Sequence, residues 1–500
     1  MRRTALGFVI AVVPLAACAT APAGGSAASP APPTAASAPS TSALGAEAWA
    51  DSVLRTLSLR DKAAQMVWPW VLGDYTAYDD PAYRRVETLV REQHLGGIII
   101  SVGSPSEIAN KLNALQRVSP IPLLVGADLE TGAAFRARGG YFTPNAIDLG
   151  GATAFPYQMG IGAARDTSLA YQMGRITALE GRALGIHMAF APVLDVNNNA
   201  ANPVIALRSF GENAHLVGTM GAALVRGIQE NGMIATGKHF PGHGDTDQNS
   251  HLELARVNAS RARMDTVELA PFRSAIQAGL RGVMTFHGYL PALDTAATAA
   301  TLNPRIMTDL LRRQLGFRGL LVTDALDMNG VLGKATMAEV TQLAVRAGND
   351  VLLMPTDNVG AIEAVVDGVR RGLFSESRID ESVRKLLVAK HEMGLHRNRF
   401  TDLEAMRRVV ADSGHLATAR VAAERAITLV KDSLSIVPMG RLSGTTRVVS
   451  ITIAPRTDLG AGVTFNGELS RVFPQLRTLT LSPEAAFDAT AGAAAGGTGA

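Results

Sequence analysis

An α/β fold built on a closed barrel of eight parallel strands is predicted from three features of the 500-residue sequence. Eight short apolar runs recur between residues 46 and 395, the spacers between them are long enough for crossover helices, and several runs end in a charged or imidazole side chain. Near-continuous hydrophobicity, in place of alternation, marks strands buried on both faces of a parallel sheet. Eight such βα units over 250 or more residues fit the TIM (β/α)8 barrel, whose reactive side chains stand at the carboxyl ends of the strands. A doubly wound open sheet is the alternative with the same periodicity.

Composition narrows the function. Hydrophobic residues make up 47% of the chain and charged residues 18%, so a large core is available. Lys plus Arg exceed Asp plus Glu by 47 − 44 = 3 with no sustained basic run, which argues against a nucleic-acid partner. The single cysteine, Cys18, excludes internal disulfides and thiolate-built metal centres.

Along the chain, Met1 to Cys18 carries a basic pair (Arg2, Arg3), an apolar stretch from Ala5 to Val13 and the exit Leu15-Ala16-Ala17-Cys18. This reads as an export signal too short to span a bilayer, and its end resembles the bacterial lipobox, in which the cysteine is lipidated. Residues 19–45, mostly Ala, Ser, Pro, Thr and Gly, suit a tether. The expectation is a protein held to a bacterial membrane, the outer one in a Gram-negative cell, by a lipid on Cys18.

The eight runs then follow: Gln65–Trp68, Gly97–Ser101, Leu123–Asp128, Met188–Val193, Ile234–His239, Val283–His287, Leu320–Asp324 and Val351–Met354. Ser104-Pro105-Ser106-Glu107 is a capping box with proline at the first helical position, and Ile108, Leu112 and Leu115 continue it on one face. The last barrel helix is expected over residues 378–392, with Gly394 as its stop. Residues 396–420 read as a connecting segment. Ala426–Val430, Arg447–Ile453 and Leu476–Leu481 read as strands opening a second α/β domain over 421–500, which gives way to Ala and Gly before it is complete.

The densest polar stretch is 238–251, with His239, His243 and His251 beside Asp245 and Asp247. His239 and His243 are four apart, as in helical zinc sites, but Pro241-Gly242 breaks the helix that would align them, so no metal is expected. Placed after a barrel strand, the segment is a candidate lid.

Here the chain resembles glycoside hydrolase family 3, in particular its β-N-acetylhexosaminidase branch. The resemblance is carried by Lys238-His239-Phe240-Pro241-Gly242-His243-Gly244-Asp245-Thr246 with Ser250-His251. Asp128-Leu129-Glu130 with Arg136, Ala191–Asp195, Arg208–Gly211, Pro291–Asp294 and Thr323–Met328 look like further blocks in the same order. The resemblance implies a retaining glycosidase without cofactor that releases terminal N-acetylglucosamine from peptidoglycan fragments or related glycans. Asp324 would be the nucleophile and His251 the acid/base, the unperturbed imidazole pKa of about 6.5 being suited to a group that gives and then takes a proton. Asp128, Lys238, His239, Arg136 and Arg208 would bind the sugar, and the unit after 420 would begin an α/β sandwich.

Two departures qualify that picture. Asn249 stands where the family usually has the aspartate partner of the histidine; its carbonyl can orient the ring but cannot stabilise imidazolium by charge, and Asp247 is a candidate substitute. Thr131-Gly132-Ala133 replaces the usual Gly-Gly-Arg. Asp324 could alternatively cap a helix, and the two arginines could be structural ion pairs. A family 3 β-glucosidase, a phosphorylase and a non-catalytic glycan-binding lipoprotein remain rival readings.

Overall fold

The computed structural model describes residues 41–482, apart from 142–146, 149, 334, 436, 438–445, 456 and 459. Cys18, the export signal and most of the expected tether lie outside the described residues. Among those described, no helix is long and apolar enough to cross a membrane.

Each of the eight apolar runs contains a strand. We label them β1 (Val67–Trp68), β2 (Trp70–Val71), β3 (Gly97–Ile100), β4 (Leu124–Ala127), β5 (Met188–Ala189), β6 (Ile234–Phe240), β7 (Gly282–Thr285), β8 (Leu320–Val322) and β9 (Leu352–Leu353). The first run supplies β1 and continues as β2 beyond Pro69.

The closed barrel is not what these strands form. The sheet is curled but open, seven parallel strands in the order β8-β7-β6-β5-β4-β3-β2, and β1 with β9 makes a separate two-stranded ladder. Two local causes interrupt closure. Pro69 carries no N–H, so the first run splits, β1 pairing with β9 while β2 pairs with β3. Between β8 and β9 the pairing is irregular: one bridge joins Val322 to Val351, and Leu353 N–H turns to the Thr323 hydroxyl at 2.9 Å in place of a ladder carbonyl.

Large side chains fill the concave side of the sheet: Trp68, Ile99, Leu124, Met188, Phe190, Ile234, Met284 and Leu320 are all buried in one cluster. Glycines make room for them. A Cβ at Gly126 would stand 2.5 Å from the Phe190 ring, and one at Gly97 2.5 Å from Trp68, so neither strand tolerates even alanine without repacking. A second cluster lies between the sheet and its covering helices, and Ile108, Leu112 and Leu115 enter it from the helix Pro105–Val118. The expected capping box is present there, Ser104 and Glu107 each bonding the other's backbone N–H. The last helix covers Glu376–Glu392, with Gly394 at φ +78° beyond it.

Beyond the sheet one expectation is corrected. Residues 427–430 form no strand; the helix Ser413–Ala426 takes the first residue of that run because Ala419 and Ala422 bury on its inner face. Further on, among the described residues, the two expected strands with a helix between are β10 (Val449–Ile453), a helix over Val463–Val472 and β11 (Arg477–Leu481), which pairs parallel with β10.

Candidate active site

The carboxyl ends of β4, β6 and β8, with the loops that carry Arg136, Arg208 and His251, bring the predicted polar residues to one cavity of about 420 Å³, walled by Asp128, Arg136, Arg208, Lys238, His239, His251 and Asp324 among others. Its floor is apolar, with Ile99, Phe190, Met284 and Leu353. One side is a charge network. Lys238 Nζ donates to Asp128 Oδ1 at 2.7 Å and lies 2.8 Å from Glu130 Oε1; Arg136 pairs with Asp128, and Arg208 grips Glu130 through two bonds of 2.8 and 2.9 Å. Burial alone would raise both carboxyl pKa values, yet Lys238 with Arg136 holds Asp128 well below the usual range, and Lys238 with Arg208 brings Glu130 down to about 2. Three cations and two carboxylates thus stay ionised in a buried wall. Both arginines are ion-paired as the structural alternative required, and both still face the cavity.

A second arrangement hangs on Asp195, which the sequence marks only as a strand-end residue. Its buried carboxylate accepts the His243 backbone N–H at 2.7 Å and lies 2.7 Å from His239 Nδ1. His243 Nε2 lies 2.8 Å from Ser250 Oγ, and its ring packs on Phe286 with centroids 4.3 Å apart. Burial drives the His243 pKa down to about 4. The predicted lid is therefore pinned at its root, with His239 and His243 committed to protein partners; among the described residues no cluster of three metal-binding side chains occurs.

From that root the chain turns out to His251, which is exposed. Asn249 Oδ1 accepts the His251 backbone N–H at 3.0 Å and lies 2.9 Å from its Nδ1. The backbone donor identifies the amide atom as oxygen, an acceptor only, so Nδ1 carries a proton and Nε2 is left for exchange. Across the cavity, Asp324 is half-buried at the end of β8. Its backbone N–H donates to Thr285 Oγ1 at 3.2 Å, and its Oδ1 accepts from Ala325 N–H at 2.8 Å. The next helix, Asn329–Leu332, has Met328 at its N-cap, so Asp324 does not cap it. Burial opposes ionisation of Asp324, but the His239 and His287 rings, the Ala325 N–H and Lys238 outweigh it and lower the pKa. His287 steadies this turn, with Nδ1 2.7 Å from Thr301 Oγ1 and Nε2 2.9 Å from the Ala325 carbonyl.

The two loops touch. Asn329 N–H donates to the His251 carbonyl at 3.2 Å, and a Cβ on Gly330 would fall 2.2 Å from the Ser250 carbonyl. Sequence reasoning overlooked Glu130, His243, Ser250 and Asp327 as cavity residues. Glu130 was within reach of it, since Asp128 and Glu130 are two apart in extended chain and face the same way.

Residues 58–389 match the model of the glycosyl hydrolase family 3 N terminal domain. The chain is 33% identical over 407 residues to a beta-N-acetylglucosaminidase/beta-glucosidase of Cellulomonas fimi, covering 79% of this chain and 68% of that one. It is 36% identical over 305 residues to beta-hexosaminidase A of Pseudoalteromonas piscicida, covering 57% of this chain and 49% of that protein. Among solved structures it is similar to a family 3 beta-N-acetylglucosaminidase from Paenibacillus sp. str. FPU-7, with a TM-score of 0.73, 34% identity, and coverage of 85% and 80% of the two chains. A beta-glucoside phosphorylase shares the fold at a TM-score of 0.77 and 24% identity, over 88% and 78% of the two chains.

Proposed function

The chain belongs to glycoside hydrolase family 3, and on that premise we propose that it is a retaining β-N-acetylhexosaminidase releasing terminal N-acetylglucosamine from peptidoglycan fragments or related glycans. Glycosidase chemistry on β-linked sugars comes with the family; the amino sugar and the mechanism are our reading. The observation that carries it is the placing of Asp324 and His251 on two touching loops around one cavity.

In the first step the free Asp324 oxygen attacks the anomeric carbon while the glycosidic bond breaks, and imidazolium Nε2–H of His251 protonates the departing oxygen. Water then attacks the glycosyl ester as neutral Nε2 accepts its proton, which frees Asp324 and restores the imidazolium. The lowered pKa of Asp324 keeps the nucleophile charged throughout the working range. Asp128, Lys238, His239, Arg136 and Arg208 would meet the sugar's hydroxyl and acetamido groups from the opposite wall.

A slow fluorinated N-acetylglucosamine-type inhibitor followed by peptide mass mapping tests this: a sugar adduct on Asp324 is expected, and an active preparation labelled elsewhere would overturn it. Asn249 favours a second reading, phosphorolysis, because a neutral amide beside the histidine does not repel an incoming phosphate. Sugar-1-phosphate formed only in phosphate buffer would select it.

A further inference from the structure

A second cleft, of about 520 Å³, lies outside this cavity, between the loop that follows β2 and the helix Pro105–Val118. Two tyrosines stand on it almost bare, Tyr75 at 76% and Tyr78 at 74% exposure. Large rings left in water are costly, and these are not on a slack loop. Lys111 Nζ donates to the Leu72 carbonyl at 2.8 Å, to the Asp74 carbonyl and to Thr76 Oγ1 at 2.9 Å, while Gly73 N–H donates to Val102 O at 2.9 Å. Tyr78 is held edge-on to the buried Tyr83, centroids 5.2 Å apart at 87°. Two aromatic faces are thus presented to solvent by a braced support.

The polar lining is equally specific. Asp74 Oδ1 is buried without a hydrogen-bond partner among the described residues, an unmet acceptor in the cleft wall. Arg117 supplies a guanidinium at the far end, about 16 Å along the helix from Ser106 at 1.5 Å per residue. Only Ala114 and Leu403 are aliphatic in the lining, which does not suit a lipid or an amphipathic helix, and the carboxylates of Asp74 and Glu107 do not suit a nucleic acid. Aromatic faces with a carboxylate acceptor and a guanidinium donor suit pyranose rings, whose C–H faces stack while their hydroxyls bond at the edges.

We propose that the cleft formed by Asp74, Tyr75, Tyr78 and Arg117 is a second, non-catalytic binding site for a β-linked oligosaccharide. The loop that forms it leaves the sheet at the carboxyl ends of the strands, as do those around the first cavity. Loops after β2, β3 and β4 lie side by side, joined by Gly103 N–H to Arg136 O at 3.1 Å and Arg138 N–H to Gly103 O at 2.9 Å, so two strand spacings, about 10 Å, separate their origins. A long glycan can therefore be held there while an end is processed nearby. Only the choice of amino sugar rests on the proposed function; the stacking chemistry does not.

The probe is the β-1,4-linked hexamer of N-acetylglucosamine, titrated calorimetrically into the full chain carrying Asp324→Asn to prevent turnover. Two sites per chain are expected, falling to one with Tyr75→Ala/Tyr78→Ala, and weakened about tenfold at one site by Asp74→Asn. In the active chain the double variant should raise KM for the hexamer about tenfold and leave an aryl N-acetylglucosaminide unchanged. A single site that the tyrosine changes leave intact, or two sites that survive them, overturns the proposal. The readings fail separately: an aryl substrate left intact while the tyrosine-dependent site persists sinks the glycosidase assignment alone, and turnover with no tyrosine-dependent site sinks the cleft alone.

Discussion

At His251 the whole acid/base question turns on one oxygen. Asn249 fixes the Nδ1–H tautomer but places no negative charge beside the ring. Asn249→Asp should move the alkaline limb of the kcat/KM profile upward, by about one pH unit, and raise the rate above neutrality; an unmoved limb would remove residue 249 from proton transfer. Asp247, the substitute considered from sequence, makes no bond to His251; Asp327, which shares the cavity wall, has its pKa raised by burial and by Asp324 and lowered by His251. His243 has a different pH signature. In the fold it stays neutral until about pH 4, whereas an unfolded imidazole gains its proton near 6.5. The unfolded chain thus binds the extra proton between those values, and stability falls as pH drops through that window, by about 3 kcal/mol for this residue. Urea unfolding from pH 7 to 4.5 should show that loss, and His243→Asn should flatten it; equal slopes would contradict the neutral, buried ring.

Among elements, the pairing of the two catalytic-candidate loops matters more than either loop alone. Gly330 begins a short helix so close to the Ser250 carbonyl that a methyl group there must push residues 249–251 away. Gly330→Ala should cut kcat by about 100-fold, more than any accompanying loss of stability accounts for, because displacement of a proton donor by an ångström is costly to chemistry. A fall in stability matching the fall in rate would instead make Gly330 a packing residue. Local signals carried the helices well: Ser104-Pro105-Ser106-Glu107 specifies its helix's N-terminus by bonds within four residues, and Gly394 marks the stop of the helix Glu376–Glu392. The strand of 426–430 failed because apolar pattern does not distinguish a strand from the end of a helix whose alanines find a partner surface.

For the molecule as a whole, the open ladder between β8 and β9 needs another fastening, and Asp350 supplies it. Fully buried, it accepts from Leu321 N–H on β8 at 2.9 Å, from Arg312 at 2.7 Å and from Ser382 at 2.6 Å, with Lys385 at 3.2 Å. Burial would raise its pKa, but Arg312, Lys385 and Arg378 bring it down to about 2. Its contribution is therefore complete above the unfolded value near 3.8 and lost as pH falls through about 2. Asp350→Asn at neutral pH should cost about 3 kcal/mol by leaving those cations without their counter-charge. A loss under 1 kcal/mol in chemical denaturation would show that the seam is held by side-chain packing alone.

Within the sheet, strand existence and direction, with the helix caps and the polar strand ends, were legible in the amino-acid order, because each depends on apolar periodicity or on bonds between neighbours in the chain. Asp128, Arg136, Arg208, Lys238, His239, His251 and Asp324 all reach the cavity for that reason. What tertiary structure alone decided was the partnership among them and the sheet's closure. Glu130 meets Arg208 across 78 positions and Asp195 meets His239 across 44. Pro69, without an N–H, splits the first run, and the Thr323 hydroxyl takes the Leu353 N–H that a β8–β9 ladder would use, a contest in three dimensions that periodicity along one does not record.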